Sequence, residues 1–216
     1  MRSRVLICAA IRQELEPLLA DGFAEVEKDI FMHRCQPLVA APLGIGTCGF
    51  LLGFTRLVQR FAVSRALLTG TCGIYPGAVD EFPLGSLFSP SLSCLGAAAV
   101  AQDQGYVPDV VAQEFALHPG EWQQHGGVGS GRCLTLTAIT ADDLLAEQLG
   151  AYYRAVAEQM ECFAFAAACH AYGISGSALF AVSNVVGRDG HVQWRSTHAR
   201  VVEKSAACIR TALADS

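Results

Sequence analysis

Residues Val5-Leu6-Ile7-Cys8-Ala9-Ala10 are apolar without alternation. A strand with one wet face alternates apolar and polar side chains, whereas a strand covered on both faces reads as a continuous apolar run. This run therefore calls for a sheet with helices on both sides. The composition can supply that cover, since 52% of the 216 residues are hydrophobic and only 16% are charged. A chain of this length forms one domain with a sizeable core.

The pattern repeats along the chain. A strand over 4–10 precedes a helix over 12–20. A strand over 37–42 runs into Gly44-Ile45-Gly46, which opens a helix reaching Arg60. A strand over 65–68 ends in Thr69-Gly70-Thr71-Cys72-Gly73. Further strands are expected over 85–89, 96–101 and 133–137, with a helix over 141–153. Residues 155–160 feed a helix over 162–172, which Gly173 stops as a C′ cap. A strand over 177–183 and a helix over 196–214 close the chain. Strands alternating with helices specify an α/β fold: three layers, a mixed central sheet, helices on both faces. Residues 102–131 are polar and rich in Gly, Pro and His, and read as a flap on the single domain 1–216.

Several function classes drop out. A net charge of −5 leaves no basic footprint for nucleic acid. Nine cysteines, an odd number with no C-x-x-C pair, read as reduced thiols rather than a disulfide scaffold. Met1-Arg2-Ser3-Arg4 and the following apolar run have the outline of a signal peptide. Arg12, Glu14 and Glu16 interrupt it, so it reads as a strand. No apolar run approaches the ~20 residues that cross a bilayer. The expected compartment is the cytoplasm.

The chemistry concentrates in a few places. Glu161 opens the greasy run Cys162-Phe163-Ala164-Phe165-Ala166-Ala167-Ala168-Cys169. A carboxylate buried there needs donors, because unpaired burial of a charge is costly. Sugar hydroxyls are such donors. Thr69-Gly70-Thr71-Cys72-Gly73 sits at the carboxyl end of a strand, where α/β sheets bind ligands. It reads equally as a structural turn. Gly44-x-Gly46 lacks the third glycine of a dinucleotide fingerprint, and a tight strand-to-helix turn fits it better. Glu14, taken alone, is a solvated acid favoured in the first turn of a helix. No His or Cys spacing supports a metal site or a Cys–His pair.

In order, these features resemble the purine nucleoside phosphorylase and nucleosidase family. Ala10-Ile11-Arg12-Gln13-Glu14 stands for A-M-E-E-E, Gly44-Ile45-Gly46-Thr47 for G-I-G-K, and Gly70-Thr71-Cys72-Gly73 for the glycine turn. Gln159-Met160-Glu161 stands for E-M-E and Ser183-Asn184 for S-D. Ser-Asn followed by Gly187-Arg188-Asp189 and Trp194 is most similar to the futalosine hydrolase branch, which serves an alternative menaquinone route. The resemblance leaves out 102–131.

The resemblance implies cleavage of the N-glycosidic bond of a purine nucleoside, without cofactor or metal, in a homodimer. It makes Glu14 the general base that activates water and Asn184 the partner of the leaving base. Glu161 accepts from the ribose hydroxyls and Met160 packs on the sugar. Thr71, Cys72, Gly73, Ala138, Ile139, Gln159, Ser183 and Arg188 complete the substrate-binding set. Asn184 replaces the Asp of adenine-cleaving relatives. Its amide offers two N–H donors, which suits the N7 and O6 acceptors of a 6-oxopurine such as hypoxanthine. The cations that hold phosphate in phosphorylases are missing, since Leu67 and Leu68 precede the glycine turn; water is the expected nucleophile. The Arg that relatives carry before S-D is Leu179-Phe180 here; either Arg188 compensates for it or activity is weak. The flap is the candidate for reading the 5′ substituent. Competing readings are a methylthioadenosine or adenosylhomocysteine nucleosidase, a nucleoside phosphorylase, and a catalytically silent nucleoside binder. A Glu14 that shares a pocket with Glu161 favours catalysis; a solvent-facing Glu14 favours the silent binder.

Overall fold

The computed structural model describes residues 3–214, so Met1, Arg2, Asp215 and Ser216 lie outside the described residues. The strands are β1 (Arg4–Ala9), β2 (Phe23–Glu27), β3 (Ile30–His33), β4 (Leu38–Pro42), β5 (Val63–Ile74), β6 (Leu87–Leu95), β7 (Glu114–Ala116), β8 (Val128–Thr135), β9 (Ala157–Glu158) and β10 (Ser175–Val185). The helices are α1 (Glu16–Leu19), α2 (Gly46–Arg60), α3 (Ala98–Ala101), α4 (Asp143–Tyr153), α5 (Cys162–Tyr172) and α6 (Gly190–Ala214).

One mixed sheet runs β10-β6-β8-β9-β5-β1-β4-β3-β2, with β7 beside β6. Parallel pairs join β1 to β4 and β5, and β5 to β10. Because β5 also pairs with β9, the strands β5, β10, β6, β8 and β9 close into a ring. The other strands extend from the ring as an open sheet.

The apolar run at the start of the chain is covered on both faces as expected. Leu6 and Cys8 point to one side, with Phe50, Phe54 and Leu57 of α2 and Phe165 of α5. Ile7 and Ala9 point to the other, with Ala206 and Ile209 of α6. Helix α5 is buried on nearly every face between α2 and the sheet, and the Phe165 ring stands edge-on to both Phe50 and Phe54. Gly173 ends α5 in the left-handed region, with φ 63°.

Four departures from the sequence expectation matter. The helix over 12–20 is broken into a 3-10 turn, Arg12–Glu14, and the single turn of α1, whose first turn contains Pro17. The β2–β3 hairpin was not anticipated. Its strand β2 is charged and exposed at the sheet edge, and its turn is made by Lys28 and Asp29 with Asp29 at φ 59°. The expected strands over 85–89 and 96–101 are one strand, β6, followed by the short α3. Small apolar residues such as 97–101 carry no periodicity that separates strand from helix. The Thr69–Gly73 segment is not a turn at all; β5 continues through it for 12 residues.

The 102–131 segment is partly ordered into the body of the fold. It contributes β7, a 3-10 turn over Glu121–His125 and the start of β8. Trp122 is buried against the α6 side of the sheet. Among the described residues no helix is long and apolar enough to cross a membrane.

Candidate active site

A cavity of about 260 Å³ opens where β1, β5 and β10 end and α5 and α6 begin. Ala10, Ile11 and Glu14 come from the segment after β1, and Ile45 from the turn before α2. Thr71, Cys72 and Gly73 come from β5, Ser183 and Asn184 from β10, and Gln159, Met160 and Glu161 from the link into α5. Carboxyl ends of strands gather these groups, as in other open α/β sheets.

Glu14 is 8% exposed. The break between the 3-10 turn and α1 turns its side chain inward. Its Oε1 accepts from the Thr71 backbone N–H at 2.9 Å and the Thr71 hydroxyl at 3.0 Å. The carboxyl lies directly on Gly70: a Cβ there would stand 2.7 Å from Glu14 Cδ, and Gly70 has φ +142°. Glycine is required on both counts. Burial pushes the Glu14 carboxyl up from its usual 4.5 to about 7, against the Thr71 hydrogen bonds; the nearby Glu161 adds to the rise.

Glu161 is 3% exposed. Its Oε1 accepts from the Gly46 N–H at 2.6 Å, so the Gly44-Ile45-Gly46 turn serves as a donor to the acid. Its Oε2 accepts from the Gln159 side-chain amide. The Gln159 Oε1 in turn accepts from the N–H groups of Glu161 at 2.8 Å and Cys162 at 2.6 Å. Gln159 therefore both satisfies the free end of α5 and aims the acid. Burial raises the Glu161 carboxyl, opposed by the Gly46 and Gln159 bonds.

Asn184 is oriented by its neighbours. Its Nδ2 donates to the Val185 carbonyl at 3.2 Å, and its Oδ1 accepts from the Ser183 hydroxyl at 2.8 Å. A carbonyl can only accept, so the NH2 end lies on the Val185 side and keeps one N–H without a partner among the described residues.

Two predicted residues are placed elsewhere. Ala138 is exposed and does not line the cavity. Arg188 also stands outside it, with a side chain 75% exposed and 3.9 Å from the Asp143 carboxylate. The Arg188 N–H donates to Asp143 at 2.8 Å, which ties this segment to the start of α4. Arg188 therefore does not fill the gap left at Leu179 and Phe180, both fully buried. None of the described residues of 102–131 lines the cavity either.

Sequence reasoning gave no site role to several other residues, although Trp194 stands in the motif after Ser183-Asn184. Helix α6 begins at Gly190, six residues earlier than expected, and brings His191 and Trp194 to the cavity. The Trp194 indole N–H donates to Thr71 Oγ1 at 3.1 Å, and the ring stacks on His198 at 4.3 Å. With the Trp194 N–H pointed at Thr71 Oγ1, the hydroxyl proton is left to serve Glu14. Glu158 and Thr140 also line the cavity. The i, i+3, i+7 spacing of His191, Trp194 and His198 was the available signal. The acid in Glu158-Gln159-Met160-Glu161 was visible too, but not its direction.

Among the described residues, no Lys or Arg lines the cavity. Cys72 is an inert thiol: burial pushes its pKa up, and Cys162 and Glu14 add to the effect. Among the described residues, no group of three or more His, Cys, Asp or Glu is placed to hold a metal ion.

Comparison with solved structures defines the fold. A 5′-methylthioadenosine/S-adenosylhomocysteine nucleosidase from Helicobacter pylori superposes with a TM-score of 0.86 over 100% of both chains, at 17% identity. Futalosine hydrolase of the same organism gives a TM-score of 0.84 over 99% of this chain and 98% of its own, also at 17% identity. The fold is thus that of the nucleosidases. At the sequence level, futalosine hydrolase of Thermus thermophilus is 30% identical over 188 residues, 80% of this chain and 79% of its own. The chain belongs to the futalosine hydrolase family. No model of a protein family matches it.

Proposed function

We propose that this protein hydrolyses the N-glycosidic bond of a 6-oxopurine nucleoside, with futalosine as the substrate and hypoxanthine as the released base. The observation that carries the reading is the pairing of Glu14 and Glu161, two buried carboxylates, on one cavity that no described Lys or Arg lines. This is the arrangement expected of a catalyst rather than a silent binder.

Cleavage builds positive charge on the ribose. Glu161 accepts from the ribose hydroxyls with the lone pairs that Gly46 and Gln159 leave open, and its charge stabilises the cationic sugar. Glu14 takes a proton from water as the water oxygen bonds to the anomeric carbon. A base that titrates near pH 7 is well matched to this step, because it is deprotonated in enough molecules and still accepts a proton readily. The bonding pair of the broken bond leaves with the base, where the free N–H of Asn184 supports it. Asn184 has no acid proton, so it stabilises the leaving group by hydrogen bonding alone. Phosphate, with no cation to hold it, is a poor co-substrate.

We further place the protein in the cytoplasm, in menaquinone synthesis, as a homodimer. Exposed Ile45, Leu51 and Leu52 on and beside α2 support a partner surface near the cavity. The test is base release from futalosine, inosine, adenosine and methylthioadenosine, with and without phosphate. Hypoxanthine release that does not need phosphate supports the reading. Phosphate-dependent turnover, or preferred release of adenine, overturns it.

A further inference from the structure

A third buried carboxylate lines the cavity, and the mechanism above does not use it. Glu158 is 9% exposed. Its Oε2 accepts from the Tyr75 hydroxyl at 2.8 Å and the Thr140 hydroxyl at 2.7 Å. Its Oε1 accepts only from the Thr140 N–H, at 3.1 Å, among the described residues. Each carboxylate oxygen has two acceptor positions. Oε2 is full, and Oε1 keeps one position.

The sheet places this acceptor opposite Asn184. Gly73 of β5 is the register partner of Glu158 on one side and of Asn184 on the other. Register partners share a face of the sheet. Two strand spacings, roughly 10 Å, separate the two backbones. Gly73 puts no side chain between them; a Cβ there would stand 2.8 Å from Asn184 Nδ2, so the amide leans over the glycine. The ring closure through β9 is what brings Glu158 to this position, since β9 exists only as the two-residue bridge between β5 and β8.

We infer that Glu158 reads the base: its open Oε1 position accepts a ring N–H while Asn184 donates to an acceptor on the same base. A 6-oxopurine has that pairing, a carbonyl O6 beside an N1–H. In adenine N1 is an acceptor and faces the carboxylate as a repulsive lone pair. Tyr75 and Thr140 are positioning residues, which hold Oε2 so that Oε1 points into the cavity. The inference rests on the proposed cleavage of 6-oxopurine nucleosides and adds the group that selects them.

The test is calorimetric binding of hypoxanthine and of 1-methylhypoxanthine, which lacks the N1–H, to wild type and Glu158→Gln. Wild type should prefer hypoxanthine roughly 10-fold or more, the usual scale for a hydrogen bond to a charged group. In Glu158→Gln the preference should shrink several-fold, because the Thr140 N–H, which can only donate, holds the amide oxygen at the Oε1 position and leaves the N1–H a neutral, weaker acceptor. A merely structural Glu158 would weaken both ligands alike. Glu158→Asp, which keeps the charge but withdraws the oxygen, should lose part of the preference and serves if the Gln variant does not fold. Equal wild-type affinities, or a preference undiminished in both variants, overturn the inference. Base release from futalosine is measured in parallel. Release without the binding preference defeats the Glu158 assignment alone; preference without release defeats the hydrolytic reading alone.

Discussion

Replacing Glu14 by Gln removes the proposed base and, with it, a carboxyl that the fold holds in an uncomfortable place. Burial raises its pKa from 4.5 to about 7, so the folded state binds this proton more tightly than the unfolded chain. Stability from this group is therefore fully present below about pH 4.5 and is lost as pH rises through about 7. Between pH 5 and pH 8 the loss is about 2.5 kcal/mol by linkage. The Glu14→Gln variant has no such dependence, and its side-chain carbonyl still accepts from the Thr71 N–H and hydroxyl. Glu161, whose carboxyl is also raised, stays in both proteins and largely cancels in the difference. The melting temperature of Glu14→Gln minus that of wild type should therefore rise from pH 5 to pH 8, by roughly 5–10 °C for a chain of this size. The same variant should lose about 10²–10⁴-fold in turnover, the usual contribution of a positioned base. Differential scanning calorimetry across pH, with base release at pH 8, measures both. A melting difference that is flat with pH would refute the buried, raised carboxyl. Turnover within a few-fold of wild type would refute its role as base.

Wild-type kcat/KM should rise with pH through about 7 and level off above it, because the deprotonated Glu14 is the active form; a profile that falls over this range would contradict the assignment. Asn184→Asp should raise adenine release relative to hypoxanthine release, and an unchanged ratio sinks the reading of Asn184. Gln159→Ala strips a donor from Glu161 and leaves the N–H groups of Glu161 and Cys162 unpaired; thermal or urea unfolding should show a loss of about 1–3 kcal/mol. Trp194→Phe keeps the stack on His198 but removes the donor to Thr71. Thr71 should then donate more weakly to Glu14, shifting the midpoint of the pH profile upward; an unmoved midpoint would make Trp194 a packing residue only.

Much of the architecture could be read from the chain itself. The unalternating run Val5–Ala10 specified a strand covered on two faces, because only alternation can leave one face wet; Leu6 and Ile7 do go to opposite cores. The span of α5 and its stop at Gly173 were equally plain, since a solidly apolar run followed by a left-handed glycine has few other uses. The order of short motifs marked which residues to watch, and most of them do meet at one cavity. What the sequence could not give was direction. Glu14 read as a solvated helix acid, and only the broken turn before α1 and the bare backbone of Gly70 put it inside. Arg188 lies next to the motif in sequence, yet its tie to Asp143 turns it to solvent. Glu158 sits three residues from Glu161, but its place across Gly73 from Asn184 depends on strands far apart in the chain closing a ring. Local pattern fixes which face of an element is apolar; which polar side chains converge is set by long-range register, and that belongs to the tertiary structure alone.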